Sequence, residues 1–122
     1  MASYIDEYVD KLKLNNQSGT ICSLECYYKE GKDGEAKRAD GGTGSFPVGQ
    51  SKTLNLNELS ELTDLADKGR EVWVTAFANV KAGKDSNADV WLRFKKDSSL
   101  TGEYTISGVI NFTEVAFNKT FE

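Results

Sequence analysis

Two stretches decide the fold: Val72-Trp73-Val74-Thr75-Ala76-Phe77-Ala78-Asn79-Val80, and shortly after it Val90-Trp91-Leu92-Arg93-Phe94. In the first, Val72, Val74, Ala76, Ala78 and Val80 recur at every second position. In the second, Val90, Leu92 and Phe94 do the same. A period of two is the mark of a strand with one face on a core. Paired as a hairpin with Val80 opposite Val90, the two runs predict Ala78 opposite Leu92 and Ala76 opposite Phe94. The other face then carries Trp73, Thr75, Phe77 and Asn79 beside Trp91, Arg93 and Lys95. A one-residue slip would turn Arg93 and Lys95 into the core, so the choice of face is strongly specified. Phe77 is expected to face Arg93 as a cation–π pair.

Similar alternation extends along the chain. Val9 to Leu14, Thr20 to Tyr28, Ser51 to Leu56 and the stretch from Tyr104 to Phe117 are further strand candidates, the last with a bulge or bend at Ser107-Gly108. Asn15-Asn16-Gln17-Ser18-Gly19 is expected to turn between the first two. Residues 57–66 keep a helical period instead, with Leu59, Leu62 and Leu65 on one side, Asn57 as a candidate cap and Gly69 as a stop. The expected fold is therefore all-β: an antiparallel two-sheet β-sandwich of six to eight strands, with one short helix closing an end. At 122 residues it makes a single domain, 1–122. Residues 29–44 hold five glycines, balanced charge and no large apolar side chain, and are expected to form an exposed, mobile loop.

Composition narrows the chemistry. The chain has no histidine, which excludes Ser-His-Asp and Cys-His nucleophiles and every His-ligated metal site. Fifteen Lys and Arg against 19 Asp and Glu leave a net charge of −4, a poor match to nucleic acid. Cys22 and Cys26 lie four residues apart in a strand pattern, about 13 Å, whereas a disulfide needs Cα atoms within roughly 7 Å. They are expected to be buried free thiols. The first residues, Met1 to Tyr8, lack the basic and apolar regions of a signal peptide, and no apolar run suits a transmembrane helix. The expected location is the cytoplasm, or outside it by a route without a cleaved signal. Three N-x-S/T triplets, at Asn16, Asn111 and Asn118, are then not glycosylated.

Motif-like stretches fail on inspection. Gly44-Ser45-Phe46-Pro47-Val48-Gly49-Gln50-Ser51 has Walker A spacing, but glutamine stands in the lysine position and a strand follows where a helix is needed. It reads as a turn. Asp85, Asn87 and Asp89 begin like a calcium loop, yet Val90 replaces the glycine and Lys96 the closing glutamate. What survives is a loose oxygen-ligand site for Ca²⁺ at Asp85, Asn87 and Asp89, with no other cofactor expected. None of the 19 carboxylates is singled out as an acid–base pair. No enzyme is expected.

The face bearing Trp73, Phe77, Asn79, Trp91 and Arg93 mixes stacking rings with amide and guanidinium donors. That mixture suits a lectin-like carbohydrate site or a lipid headgroup site, and predicts a non-catalytic binding module whose partner is a glycan or a membrane surface. The same aromatics, or an unpaired sheet edge, would also serve a self-associating homo-oligomer. Burial of both tryptophans beneath other chain segments is the competing structural role.

Overall fold

The computed structural model describes residues 2–122. Two sheets pack face to face with one short helix at an end, the expected sandwich, built from ten strands where six to eight were expected. The first sheet runs β1 (Ser3–Val9), β8 (Val90–Phe94), β6 (Val72–Val80), β3 (Cys22–Glu30) and β4 (Lys37–Phe46), with the two-residue β7 (Ser86–Asn87) added to β6. The second runs β10 (Phe112–Phe121), β9 (Thr101–Val109), β2 (Lys11–Ser18) and β5 (Ser51–Asn55).

Purely antiparallel pairing is corrected: β1 runs parallel to β8, and β2 parallel to β9. The reason is a repeated manoeuvre. The chain leaves the first sheet after β1, turns at Asp10 and enters the second as β2; it does the same from β8 to β9. The two crossings lie side by side, stitched by the Asp10 N–H to the Leu100 carbonyl (3.0 Å) and the Lys95 N–H to the Val9 carbonyl (3.2 Å). Strands flanking two equal crossings must run in the same direction. The run from Val9 to Leu14, expected as one strand, is accordingly cut at Asp10, which is 2% exposed. Its carboxylate accepts from Asn57 Nδ2 and Lys11 Nζ, both at 3.0 Å.

The hairpin register is also corrected. Leu92 pairs with Val74 and Arg93 with Trp73, four residues from the expected alignment, because Ser86 and Asn87 pair with Ala78 and Phe77 instead. The shift is even, so each side chain keeps its face. Where the ladder is interrupted, the Thr75 hydroxyl donates to the Val90 carbonyl at 2.7 Å.

Residues 29–44 are not one mobile loop. Only 31–36 connect; Lys37–Phe46 is an edge strand on β3. Its ladder shifts register twice, between Ser23 and Glu25 and again between Glu25 and Tyr27. A glycine-rich strand is tolerated here because it is an edge, and because the Glu61 carboxylate of the helix accepts the Asp40 N–H at 2.6 Å. Asn15 to Ser18 belong to β2 and not to a turn. At the other end of the chain, β9 and β10 form a hairpin turning at Ile110-Asn111, and Asn111 takes a φ of +68°. The bulge expected at Ser107-Gly108 is not there, since the ladder stays in register through it and shifts between Phe117 and Lys119 instead. Gly108 does take a φ of +98°, and a Cβ there would stand 2.2 Å from the Phe112 carbonyl oxygen.

The helix α1 spans Ser60–Asp67, after a 3-10 turn at Leu56–Glu58. Asn57 is not its cap; Leu59 occupies that position, and Asn55 caps the 3-10 turn by accepting from the Asn57 N–H. Gly69 does end the helix. At φ +75° it lets its own N–H reach the Ala66 carbonyl and the Arg70 N–H reach the Leu65 carbonyl, a Schellman closure. Leu59 and Leu62 are buried, and Leu65 packs against the edge of the same core.

Cys22 and Cys26 are free and buried, with Leu24 between them on the inner face of β3. Burial pushes the Cys22 thiol up to about 11 and Cys26 further in the same direction, so neither is a thiolate near neutrality.

Candidate functional site

All five residues expected to bind ligand lie on the outer face of the six-stranded sheet, but their aromatic rings are not bare. Trp73 and Trp91 are 3% and 4% exposed, and Phe77 8%. Cations cover them. Lys29 Nζ stands 4.6 Å from the Trp91 ring centre, Lys32 Nζ 5.4 Å from Trp73, and the Arg38 guanidinium 4.6 Å from Phe77. Tyr4 packs edge-on to Trp73, and Tyr27 stacks on Trp91. Trp73 Nε1 donates to the Glu71 carboxylate at 2.6 Å.

The partners differ in detail from expectation. Phe77 meets Arg38, not Arg93. Arg38 in turn is held by Glu25, which also accepts from Asn79 Nδ2 at 3.0 Å. Arg93 lies between Tyr8 and Trp73, 5.0 and 5.5 Å from their ring centres. Among the described residues, Lys29 and Lys32 have no carboxylate within 4.0 Å. The face thus presents ammonium and guanidinium groups laid over aromatics, with cover from β1 (Tyr4, Tyr8), β3 (Tyr27, Lys29), the 31–36 connection (Lys32) and β4 (Arg38).

Of Asp85, Asn87 and Asp89, the first two make local side-chain bonds, and Asp89 bonds through its backbone. The Asp85 carboxylate accepts the Val80 N–H at 2.8 Å, and Asn87 Nδ2 donates to the Ala88 carbonyl at 2.9 Å. The Asp89 carbonyl accepts the Ser3 N–H, which seats β1 on the sheet. No group of three or more His, Cys, Asp or Glu side chains able to hold a metal occurs among the described residues.

A second surface was not anticipated. Among the described residues six large hydrophobic side chains are exposed, and five of them sit at one end of the sandwich: Ile21, Val48, Val109, Ile110 and Phe112, the last 80% exposed. They come from the β2–β3 turn, the β4–β5 turn and the tip of the β9–β10 hairpin, where Val109 and Phe112 are the closing pair. The β6–β7 turn completes the end with Lys81 and Lys84, both exposed.

These turns are bonded to one another. The Gly19 N–H bonds the Gly108 carbonyl (2.8 Å), and the Lys81 N–H bonds the Ile21 carbonyl (2.9 Å). The Lys84 N–H bonds Asn111 Oδ1 at 3.0 Å. Asn16, fully buried, is the hub. Its Nδ2 donates to the carbonyls of Thr20 (2.9 Å) and Phe46 (3.1 Å). Its Oδ1 accepts from the Ser18 N–H and hydroxyl. Its backbone accepts from Gly49 and donates to Gln50. One satisfied amide thereby ties β2, the β2–β3 turn and the β4–β5 turn together.

The opposite end is chemically different. There α1 carries Glu61, Asp64 and Asp67, with Asp33 and Glu35 in the nearby 31–36 connection. Between them lies a cavity of about 310 Å³ lined by Tyr28, Glu30, Glu35, Lys37, Glu61 and Asp64. The Tyr28 hydroxyl donates to Glu61 at 3.3 Å, and burial together with that carboxylate raises its pKa.

No helix among the described residues is long and apolar enough to cross a membrane. No family model and no curated protein sequence matches the chain. Among solved structures, the membrane-binding domain of pneumolysin is similar with a TM-score of 0.39 at 12% identity, over 89% of this chain and 95% of that one. Listeriolysin O gives 0.42 at 11% identity, over 88% of this chain and 22% of that one. The human-specific toxin intermedilysin gives 0.39 at 12%, over 92% of this chain and 23% of that one. The chain therefore spans under a quarter of the length of those two toxins.

Proposed function

We propose that this protein is a non-catalytic binding module that docks on a lipid bilayer surface through its apolar end. One observation carries the proposal: Ile21, Val48, Val109, Ile110 and Phe112 project together from bonded turns, with Lys81 and Lys84 beside them. Polar turn residues are the norm because turns face water. Exposed apolar residues gathered on bonded turns are costly in water and are offset by burial in a membrane or partner. The two lysines favour an anionic leaflet, where each contributes about 1 kcal/mol. Burying a phenylalanine side chain is worth roughly 2 kcal/mol, near 30-fold in affinity.

The outer face of the six-stranded sheet has a different part in this reading. With its indoles under Lys29 and Lys32, it offers positive charge in place of a bare stacking platform. A sugar ring stacks on Trp91 only by displacing Lys29. Neutral glycans are therefore poorer candidates than anionic groups.

The test is flotation with phosphatidylcholine vesicles, with and without phosphatidylserine. Wild type is expected to float with both, and more strongly with the anionic lipid. Phe112→Asp and Val109→Asp are expected to stay in solution while keeping the wild-type melting temperature. Equal flotation of the variants would overturn the proposal. So would sedimentation showing that these substitutions act by dissolving a homo-oligomer, the outcome expected if a second copy covers this end.

A further inference from the structure

The sixth exposed large hydrophobic residue, Tyr8, stands apart from the other five. It lines a groove of about 330 Å³ near the helix end, where the last residues of β1 and β8 approach the C-terminus of α1. The lining includes Arg70, Arg93, Lys95 and Lys96 with Tyr8 and Phe94, and no carboxylate. Four cations converge in a molecule whose net charge is −4.

Their neutralisation is incomplete. Lys95 has no carboxylate within 4.0 Å among the described residues. Arg93 reaches Asp6 only at 3.4 Å, and that aspartate side chain is 78% exposed. Arg93 Nε is buried without an acceptor. Arg70 and Lys96 hold Glu30 and Asp67 at 3.3 and 3.1 Å, in pairs exposed enough to exchange partners. Tyr8 keeps the two central cations in place: the Arg93 guanidinium lies 5.0 Å and Lys95 Nζ 5.4 Å from its ring centre. The helix C-terminus would ordinarily oppose an anion. Here the carbonyls of Asp64, Leu65 and Ala66 are taken by the N–H groups of Lys68, Gly69 and Arg70.

We infer that this groove binds the oxyanion group, phosphate or sulfate, of a small organic molecule. Arg93 supplies a planar fork for two oxygens and Lys95 a point charge, with Arg70 and Lys96 closing the rim. The groove volume falls in the range of small-molecule pockets, so the oxyanion is carried on a body that fills the space over Tyr8 and Phe94. The apolar end lies the length of a strand away, about 30 Å for nine residues. A molecule docked there does not bring the same bilayer to the groove, which points to a soluble ligand.

The test is a titration of the ¹⁵N-labelled full chain with glucose 6-phosphate, inorganic phosphate and sulfate, with glucose and chloride as controls. Expected are saturable shifts at the backbone amides of residues 66–70 and 93–96 and at the Arg93 Nε–H, absent with glucose. Arg93→Gln and Lys95→Gln should each weaken binding tenfold or more, and Arg93→Lys should retain part of it. Phe112→Asp, which removes the bilayer-docking group, should bind glucose 6-phosphate as wild type does. The fate of the groove is thus separable from that of the apolar end. If Phe112→Asp instead gains binding to phosphatidic acid vesicles that depends on Arg93 and Lys95, the same oxyanion chemistry is confirmed with a lipid as its carrier. Linear, unsaturating shifts equal to those of chloride would overturn the inference. So would saturable shifts unaffected by Arg93→Gln and Lys95→Gln.

Discussion

The two ends of this sandwich are built from the same strands and made for different surroundings. At one end four turns carry five exposed apolar side chains and two lysines, held as a unit by backbone bonds and by Asn16. At the other, a capped helix and the crossings at Asp10 and 95–100 carry the acids, an acid-lined cavity and, on the adjoining edge, the cationic groove. The contrast separates stabilising from displaying. The helix end buries Leu59 and Leu62 and sets acids and cations out on separate surfaces. The turn end leaves apolar surface unspent and keeps it in place with polar bonds.

The largest effect should come from the hub. Asn16→Ala strands the Phe46 carbonyl and the Ser18 N–H and leaves the Thr20 carbonyl only the Ser18 hydroxyl at 3.4 Å, at about 1–3 kcal/mol for each buried group left unpaired. A loss of roughly 3 kcal/mol in urea unfolding is expected, together with lost vesicle binding; an unchanged midpoint would show that the turns hold without it. Next is Phe112→Asp, expected to lower vesicle affinity about 30-fold with stability changed by under about 0.5 kcal/mol. If instead it unfolds the protein, the side chain belongs to the core and the contrast between the ends collapses. Smaller again is Lys84→Gln, expected to cost near fivefold on phosphatidylserine vesicles, less at high salt, and nothing on phosphatidylcholine.

The smallest effect tests the helix end through pH. Burial raises the Asp10 carboxyl, but hydrogen bonds from Asn57, Lys11 and the Ser99 backbone, with the Lys11 charge, outweigh it and leave the pKa below 3.8. A folded pKa lower than the unfolded one gives stability present above pH 3.8 and lost as pH falls through the folded value. Glu103, lowered by its bond from Asn15, adds in the same direction. Asp10→Asn should therefore destabilise at pH 7 and flatten the acid limb of a stability-against-pH curve. An acid limb as steep as wild type would place the titrating group elsewhere.

Much of this was legible in residue order. The period of two in Val72 to Val80 assigned every side chain of β6 to its face, and it survived a four-residue error in the β8 register because the error was even. Gly69 marked a helix stop because the position needs a positive φ; Gly108 also takes a positive φ, but the bulge expected there formed at Phe117 to Lys119. The cover over Trp73 and Trp91 was not legible. Lys29 and Lys32 look solvated in sequence; pairing β3 beside β6 brings the Lys29 ammonium over Trp91, and the 31–36 connection that follows β3 brings Lys32 over Trp73. The apolar end had a faint signal in Val109-Ile110-Asn111-Phe112, where the alternation fails. Read as continuing strand, Phe112 looked like an ordinary sheet residue.

By itself, then, the order of residues determined that this chain alternates, that it has a two-faced sheet strand at 72–80, that its cysteines stay unpaired and that a short helix ends at Gly69. These are consequences of local geometry, set within a few residues by side-chain period and permitted φ. Tertiary structure decided which strands run parallel, which cations lie on which rings, and that turns distant in sequence gather their apolar side chains at one end. Those follow from where the chain crosses between sheets, and alternation is the same whichever neighbour a strand acquires.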